Sequence, residues 1–68
     1  MQQWILLYSA HSLPEATILK GRLEENQVPV MLMNKQDSSY LNFGDIELYV
    51  PVTLRPIAAN LLGNGLSN

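Results

Sequence analysis

The stretch HSLPEATILKGRLEEN, residues 11 to 26, predicts the first helix of this chain and fixes the order of the elements around it. Ser12 and Glu15 have the spacing of a capping box, in which each side chain accepts a hydrogen bond from a free backbone N–H of the first turn. Pro14 falls within that turn, where its missing N–H does little harm. The apolar residues that share one helical stripe are Ala16, Leu19 and Leu23.

Three strand patterns surround this helix. The first is QQWILLYSA, residues 2 to 10, which is rich in aromatic and branched side chains. The second runs from Val28 to Met33, and the third is DIELYVPV, residues 45 to 52. In the third strand apolar side chains alternate with Glu47 and Tyr49, as expected for a strand with one buried face.

A second helix is predicted after Pro51, with Thr53 as its N-cap and Gly63 as the residue that ends it. The apolar residues at helical spacing are Leu54, Ile57, Ala58, Leu61 and Leu62. We therefore expect a single domain over residues 1–68, with a core at about 3–63 and a frayed tail at 64–68.

The predicted order β-α-β-β-α identifies an α+β protein. Because crossovers between parallel strands are right-handed, the favoured arrangement is a split β-α-β fold. Its three-stranded antiparallel sheet has the order 1-3-2, and both helices lie on one face. This is a ferredoxin-like sheet without a fourth strand, so strand 1 should form an open edge and the other face should have no helix over it.

Alternation along the strands predicts which side chains lie on that uncovered face, called here the far face. Strand 1 is ambiguous because both of its sets are apolar; if Ile5 and Leu7 point to the helices, the other set points away. The candidate interface residues are then Trp4, Leu6, Tyr8, Met31, Met33 and Tyr49. An apolar patch of this kind marks an interface, unless the tail or a short strand from Leu66 covers it, or it is simply tolerated.

The connection from Asn34 to Gly44 is long for a hairpin, where two to five residues are usual. Two hypotheses apply: the loop binds a polar or flat ligand, or its aromatic side chains only pin it to the domain. The candidate contact residues are Lys35, Asp37, Tyr40, Asn42 and Phe43. With one basic residue in the loop, binding of a nucleotide polyphosphate is not expected.

Composition excludes several classes of function. The 68 residues contain no cysteine, which rules out disulfides, thiol catalysis and cysteine-ligated metals. The net charge is -2 and the four basic residues are scattered, so nucleic acid is not an expected partner. The longest apolar run, from Trp4 to Tyr8, is too short to span a bilayer, and the N-terminus lacks the pattern of a signal peptide. A cytoplasmic protein that does not bind membranes is expected.

No catalytic, cofactor-binding or metal-binding residue is predicted. His11 lies beside Ser12 and before Glu15, but Ser12 is better explained as a helix cap, and a lone histidine makes a poor metal site. Asp45 and Glu47 point the same way, yet an acid–base pair needs one carboxylate in an apolar pocket. The segment YSAHSLPEA has no glycine for a phosphate loop. We therefore expect no enzyme activity and no cofactor.

The motif EATILKGRLEENQVPV resembles the stretch EA-x-x-x-K-G-x-L-E-x-x-G-I of a family of short bacterial proteins described as prokaryotic signal-transducing proteins. The matching residues are Glu15, Ala16, Gly21, Leu23, Glu24, Val28 and Gly44, followed by ELYVP at 47–51 and IAANLL at 57–62. The resemblance covers about residues 4 to 62, and its motifs are structural. It departs at Gln27, where the family has glycine, so Asn26 is expected to supply the helix-ending conformation.

The resemblance implies a fold grouped with the PII nitrogen-regulator superfamily, whose members are ferredoxin-like trimers. Those proteins carry a long loop between strands 2 and 3 that contacts partners and helps to hold nucleotide. The loop from Asn34 to Gly44 has the same place in the topology, but no binding residue carries over.

These patterns predict a regulatory module that works by binding. The expected partner is another copy of the chain or a different protein, which meets the far face or the strand 1 edge. The alternative is a sensor that holds a small effector in the loop between strands 2 and 3.

Overall fold

Over the residues that the structure describes, the chain forms three strands and two helices in the predicted order β-α-β-β-α. A computed structural model describes residues 3–34 and 46–66, with the backbone alone for 64–66. The elements are β1 (Trp4–Ala10), α1 (Leu13–Glu25), β2 (Met31–Asn34), β3 (Ile46–Pro51) and α2 (Arg55–Leu66). Both strand pairings are antiparallel and the sheet order is β1-β3-β2. The α+β class and the sheet order are therefore confirmed, and the candidate loop contacts lie outside the described residues.

The start of α1 follows from the side chains around Ser12. The Ser12 Oγ accepts a hydrogen bond from the Glu15 N–H at 3.2 Å, as predicted for an N-cap. The Glu15 carboxylate, however, accepts from the N–H of His11 at 2.9 Å, one residue before the cap. The predicted hydrogen bond to the Ser12 side chain is thus confirmed. The Glu15 side chain binds the N–H of His11 and not that of Ser12, which the capping box predicted.

The end of α1 is a left-handed residue stabilised by two hydrogen bonds. Gln27 has φ 63°, and its N–H donates to the Glu24 carbonyl at 3.1 Å. The N–H of Val28 donates to the Leu23 carbonyl at 3.0 Å, which completes a Schellman motif. Asn26 has φ -105°, so the prediction that Asn26 takes the helix-ending conformation is wrong. Gln27 takes it because burial of Val28 and Leu23 fixes the chain on both sides.

The second helix differs from the prediction at both ends. A 3₁₀ turn over Val52–Leu54 contains Thr53 and has no side-chain cap, so Thr53 is not the N-cap of α2. At the other end α2 passes through Gly63 and reaches Leu66, which is within the segment predicted to fray. Glycine permits the left-handed conformation that ends a helix but does not require it.

The core lies between one face of the sheet and both helices. Three alternate residues of β3 point into it, and residues of α1 and α2 belong to the same cluster, so both helices cover the same face as predicted. The buried apolar residues are Ala10, Ala16, Leu19, Leu23, Val28, Ile46, Leu48, Val50, Ala58 and Leu62. The molecule is 15 Å thick along its shortest axis, which fits one helical layer on one sheet.

A β-bulge interrupts the pairing of β1 with β3. Leu6 lies opposite Tyr49, but the next pair is Tyr8 with Leu48, so Leu7 is an extra residue in β1. A bulge of one residue reverses the alternation of side chains beyond it. Before Leu7 the even-numbered residues of β1 therefore lie on one face of the sheet, and after Leu7 the odd-numbered residues lie on that same face.

Tyr8 consequently lies on the helix side of the sheet, and its prediction as a far-face residue is wrong. It is paired with Leu48, which is fully buried beneath the helices, and directly opposite residues share a face. The Tyr8 hydroxyl donates to the Glu15 Oε2 at 2.8 Å, which joins β1 to α1. The strand ends with Ala10 on the same side, fully buried.

Candidate functional site

The far face of the sheet consists of three rows of side chains that run across the strands. Because directly opposite residues of antiparallel strands share a face, the pairing register defines each row. The rows are Leu6–Tyr49–Met31 in the centre, Ser9–Glu47–Met33 on one side, and Trp4–Pro51 on the other. Five of the six predicted interface residues are thus brought together here, and Tyr8 is the exception.

The apolar side chains of the far face are evenly exposed. The exposed fractions of Trp4, Leu6, Met31 and Met33 are 39%, 39%, 38% and 40%. Pro51 is buried on this face, opposite Trp4. Together they form a contiguous apolar surface, and both helices lie on the opposite side of the sheet.

Glu47 supplies the one charge among the far-face residues that the structure describes. The Tyr49 hydroxyl donates to the Glu47 Oε1 at 2.8 Å, along the same strand. This hydrogen bond raises the pKa of Tyr49, with smaller contributions from desolvation and from the carboxylate charge. The hydroxyl of the central tyrosine is therefore directed to the carboxylate at one end of the face. The rest of that central row is apolar.

The free edge of β1 is partly obstructed. The Val52 N–H donates to the Gln3 carbonyl at 2.8 Å, so in the alternating pattern Trp4 and Leu6 direct their backbone groups away from β3. Arg55 Nε donates to the Leu6 carbonyl at 3.3 Å and occupies one of those outward acceptors. The bulge follows immediately, and both features discourage strand pairing at an edge.

The opposite edge of the sheet, formed by β2, is also poorly suited to pairing with a strand of another chain. It has only four residues, Met31–Asn34, and Pro29 comes shortly before it. A proline and a short edge strand are two of the devices that prevent pairing with another chain. The predicted docking surface at the strand 1 edge is thus less suited to a partner than the far face.

A second polar cluster joins β1 to the start of α1. Both oxygens of the Glu15 carboxylate accept hydrogen bonds, one from the His11 backbone and one from the Tyr8 hydroxyl. The bond from His11 lowers the pKa of Glu15 most, and that from Tyr8 lowers it further. The same contact raises the pKa of Tyr8. Ser12 is engaged as the helix cap, so this cluster ties β1 to the start of α1.

One shallow depression lies on the solvent side of α1. Its volume is about 380 Å³ and it is lined by Thr17, Ile18, Gly21, Arg22, Glu25 and Asn26. All of these residues belong to α1 or directly follow it, and the depression is wide open. It is a surface groove and not an enclosed cavity.

Residues 3–34 and 46–66 form neither a metal site nor a membrane-spanning helix. No group of three histidine, cysteine or acidic side chains is arranged there to hold a metal ion. Neither helix in this part of the chain has the length and apolar content needed to cross a membrane. The far face is thus the surface that stands out within these ranges.

Comparisons with protein-family models, curated proteins and solved structures gave no match for this chain. The resemblance of the α1 motif to signal-transducing proteins therefore stays a prediction. The candidate site is defined by sheet geometry and exposure: an apolar far face with Glu47 at one end and Trp4 at the other.

Proposed function

We propose that this chain is a non-enzymatic binding module whose far face docks another protein or a second copy of the chain. The observation that supports this is the even exposure of four large apolar side chains on a face that neither helix covers. Contiguous apolar surfaces on soluble domains mark interaction sites more often than isolated apolar residues do.

The residue types on the far face also favour binding. Tryptophan, tyrosine and methionine are enriched in the cores of protein interfaces, and tryptophan often dominates the binding energy. Met31 and Met33 have flexible thioether side chains that adapt to the shape of a partner. A small module of this kind suits a regulatory pathway, and signal transduction is the setting that we propose for it.

Light scattering behind a sizing column tests this function, with the mass recorded over a wide range of concentrations. The informative variant is Met31→Lys, which places a charge in the centre row of the far face. Ile18→Lys is the matched control, because Ile18 is an even more exposed apolar residue on the solvent side of α1. Circular dichroism verifies that both variants are folded.

We expect the mass of the wild type and of Ile18→Lys to rise with concentration, and Met31→Lys to remain a monomer. If the wild type is itself a monomer, the three proteins serve as baits, and the wild type and Ile18→Lys should retain a protein that Met31→Lys loses. Identical behaviour of all three proteins in both experiments would exclude the far face as the binding surface.

A further inference from the structure

We propose that the far face docks a second copy of this chain about a two-fold axis that runs across the strands, along the Leu6–Tyr49–Met31 row. This inference rests on the proposed function and specifies both the partner and the geometry. In such a dimer the two sheets lie face to face, with the helices on the outside.

The face is preferred to the edges because both edges are obstructed. Arg55 occupies the Leu6 carbonyl at the outer edge of β1, and the bulge at Leu7 distorts the strand beyond it. The β2 edge is four residues long and follows Pro29 closely. A second copy that added its strand to either edge would meet these obstacles, whereas neither helix covers the far face.

The chemistry of the far face is complementary to itself. One outer row carries the Glu47 carboxylate, which only accepts hydrogen bonds when ionised, and the other carries the Trp4 indole, which only donates. A two-fold axis along the central row places each outer row over the opposite outer row of the second copy. The Glu47 end of each copy then meets the Trp4 end of the other, twice in one interface, as an isologous contact requires. Glu47 lies over Pro51 of the second copy, and Trp4 reaches it from the neighbouring strand.

The alternative axis, parallel to β3, is disfavoured by charge. It would place Glu47 directly over Glu47 of the second copy, in an apolar interface where like charges repel strongly. With the proposed axis, each Glu47 is two residues from the central row. At the rise of an antiparallel strand, the two carboxylates are then about 14 Å apart along the strand direction. At that distance the two carboxylates repel each other much less than they would in direct contact.

The existing hydrogen bond of Glu47 is compatible with this contact. The Tyr49 hydroxyl uses one oxygen of the carboxylate, at 2.8 Å. An ionised carboxylate offers about four acceptor positions, so an indole N–H from the second copy adds a donor without displacing the tyrosine.

The area of the face predicts how tight the dimer is. Strand rise and spacing give the far face a flat footprint of roughly 300 Å². With the relief of the side chains included, two facing copies bury on the order of 1,000 Å², at the low end for specific interfaces. The dimer should therefore be weak and dependent on concentration.

Single cysteines provide a sharp test because the chain has none of its own. In the proposed geometry Met31 meets Met31 of the second copy, whereas each Met33 is displaced by two rows from its counterpart. Met31 and Met33 are on the same strand and almost equally exposed, so Met33→Cys is a matched control for Met31→Cys. Each variant is treated with a short bismaleimide linker at a concentration where the wild type associates.

We expect roughly tenfold more cross-linked dimer for Met31→Cys than for Met33→Cys, because only the former holds its second thiol at a high effective concentration. Equal cross-linking of the two variants would overturn the inference, since an axis parallel to β3 leaves both positions equally far from their counterparts. Absence of cross-linking in both would overturn it as well. The mass of Met31→Lys reports separately on the proposed function, so either idea can fail alone.

Discussion

The helix-side face and the far face of this sheet are made by the same three strands, and both are rich in apolar side chains. On the helix side Ile46, Leu48 and Val50 are fully buried under α1 and α2. On the far side Trp4 and Leu6 remain about two-fifths exposed, although they belong to the same ladder. The difference shows that apolar content identifies a strand, whereas the position of the helices decides which face becomes core.

The largest expected contrast is between Leu48→Ala and Leu6→Ala. Loss of Leu48 leaves a cavity in the core and should lower the free energy of unfolding by about 3 kcal/mol. Leu6 is partly solvated in the free protein, so its truncation should cost less than about 1 kcal/mol. Urea denaturation followed by circular dichroism measures both at a concentration where the protein is a monomer.

A milder variant keeps this contrast measurable if Leu48→Ala does not fold. Leu48→Val on the same buried face should cost about 1 kcal/mol, more than the same change at Leu6 on the far face. Equal losses on the two faces would show that the far face is packed as tightly as the core, contrary to the exposures.

The two tyrosine–carboxylate pairs offer a second, smaller contrast. The Tyr8 hydroxyl joins β1 to α1 through Glu15, so Tyr8→Phe should lower the free energy of unfolding by about 1 kcal/mol. The Tyr49 hydroxyl joins two residues of the same strand, and Tyr49→Phe should have a clearly smaller effect on stability. Thermal and urea unfolding of the two variants, side by side, provide the measurement.

The same pair of variants also separates folding from association. Tyr49 lies in the centre of the far face, so Tyr49→Phe should change the dissociation constant of the proposed dimer more than Tyr8→Phe does. A larger loss of stability in Tyr49→Phe than in Tyr8→Phe would contradict the assignment of Tyr8 to the helix side.

The smallest effect concerns the pH dependence of stability. The pKa of Glu15 is lowered from its usual value of 4.5, first by the His11 N–H and then by the Tyr8 hydroxyl. A carboxyl with a lowered folded-state pKa contributes stability above the unfolded pKa and loses it as the pH falls through the folded value. The gap in Tm between the wild type and Glu15→Gln should therefore be widest near neutral pH and close below pH 4.5.

Scanning calorimetry from pH 7 to pH 3 measures this gap, and the other carboxylates affect both proteins alike. Glu47→Gln is the control on the far face, where a carboxylate accepts a similar bond from a tyrosine without joining two elements. A gap that is constant over the whole range would show that the contacts of Glu15 do not depend on its charge.

Much of the fold was predictable because β3 and β2 each have a clear pattern. In β3 the polar Glu47 marks the outward set. In β2 the alternation places Met31 and Met33 on one face, although the strand is Met31–Asn34 and not Val28 to Met33 as predicted. In β1 the side chains on both faces of the strand are apolar, so the pattern does not show which face is buried. The extra residue Leu7 then reverses the alternation halfway along the strand. No pattern in WILLYSA signals that bulge, which places Tyr8 and Ala10 on the helix side.

The candidate site was predictable in kind more than in detail. The order of the elements predicted that both helices would lie on one face of the sheet. The alternation in the strands predicted that the other face would be apolar. The pairing of Tyr49 with Glu47 and the block of the β1 edge by Arg55 were missed. The first contact joins residues two positions apart in the sequence, and the second joins residues 49 positions apart. The direction in which each of these side chains points is set only when the sheet is assembled.

The left-handed Gln27 has a consequence for the order in which the chain folds. A residue other than glycine enters this conformation at a cost, and here the cost is offset by the burial of Leu23 and Val28 on either side. Before those two side chains are packed, the two backbone hydrogen bonds of the Schellman motif must hold Gln27 in place without the help of that burial. The connection out of α1 should thus form together with the core, and the nascent helix should lack a defined end until β2 has joined the sheet.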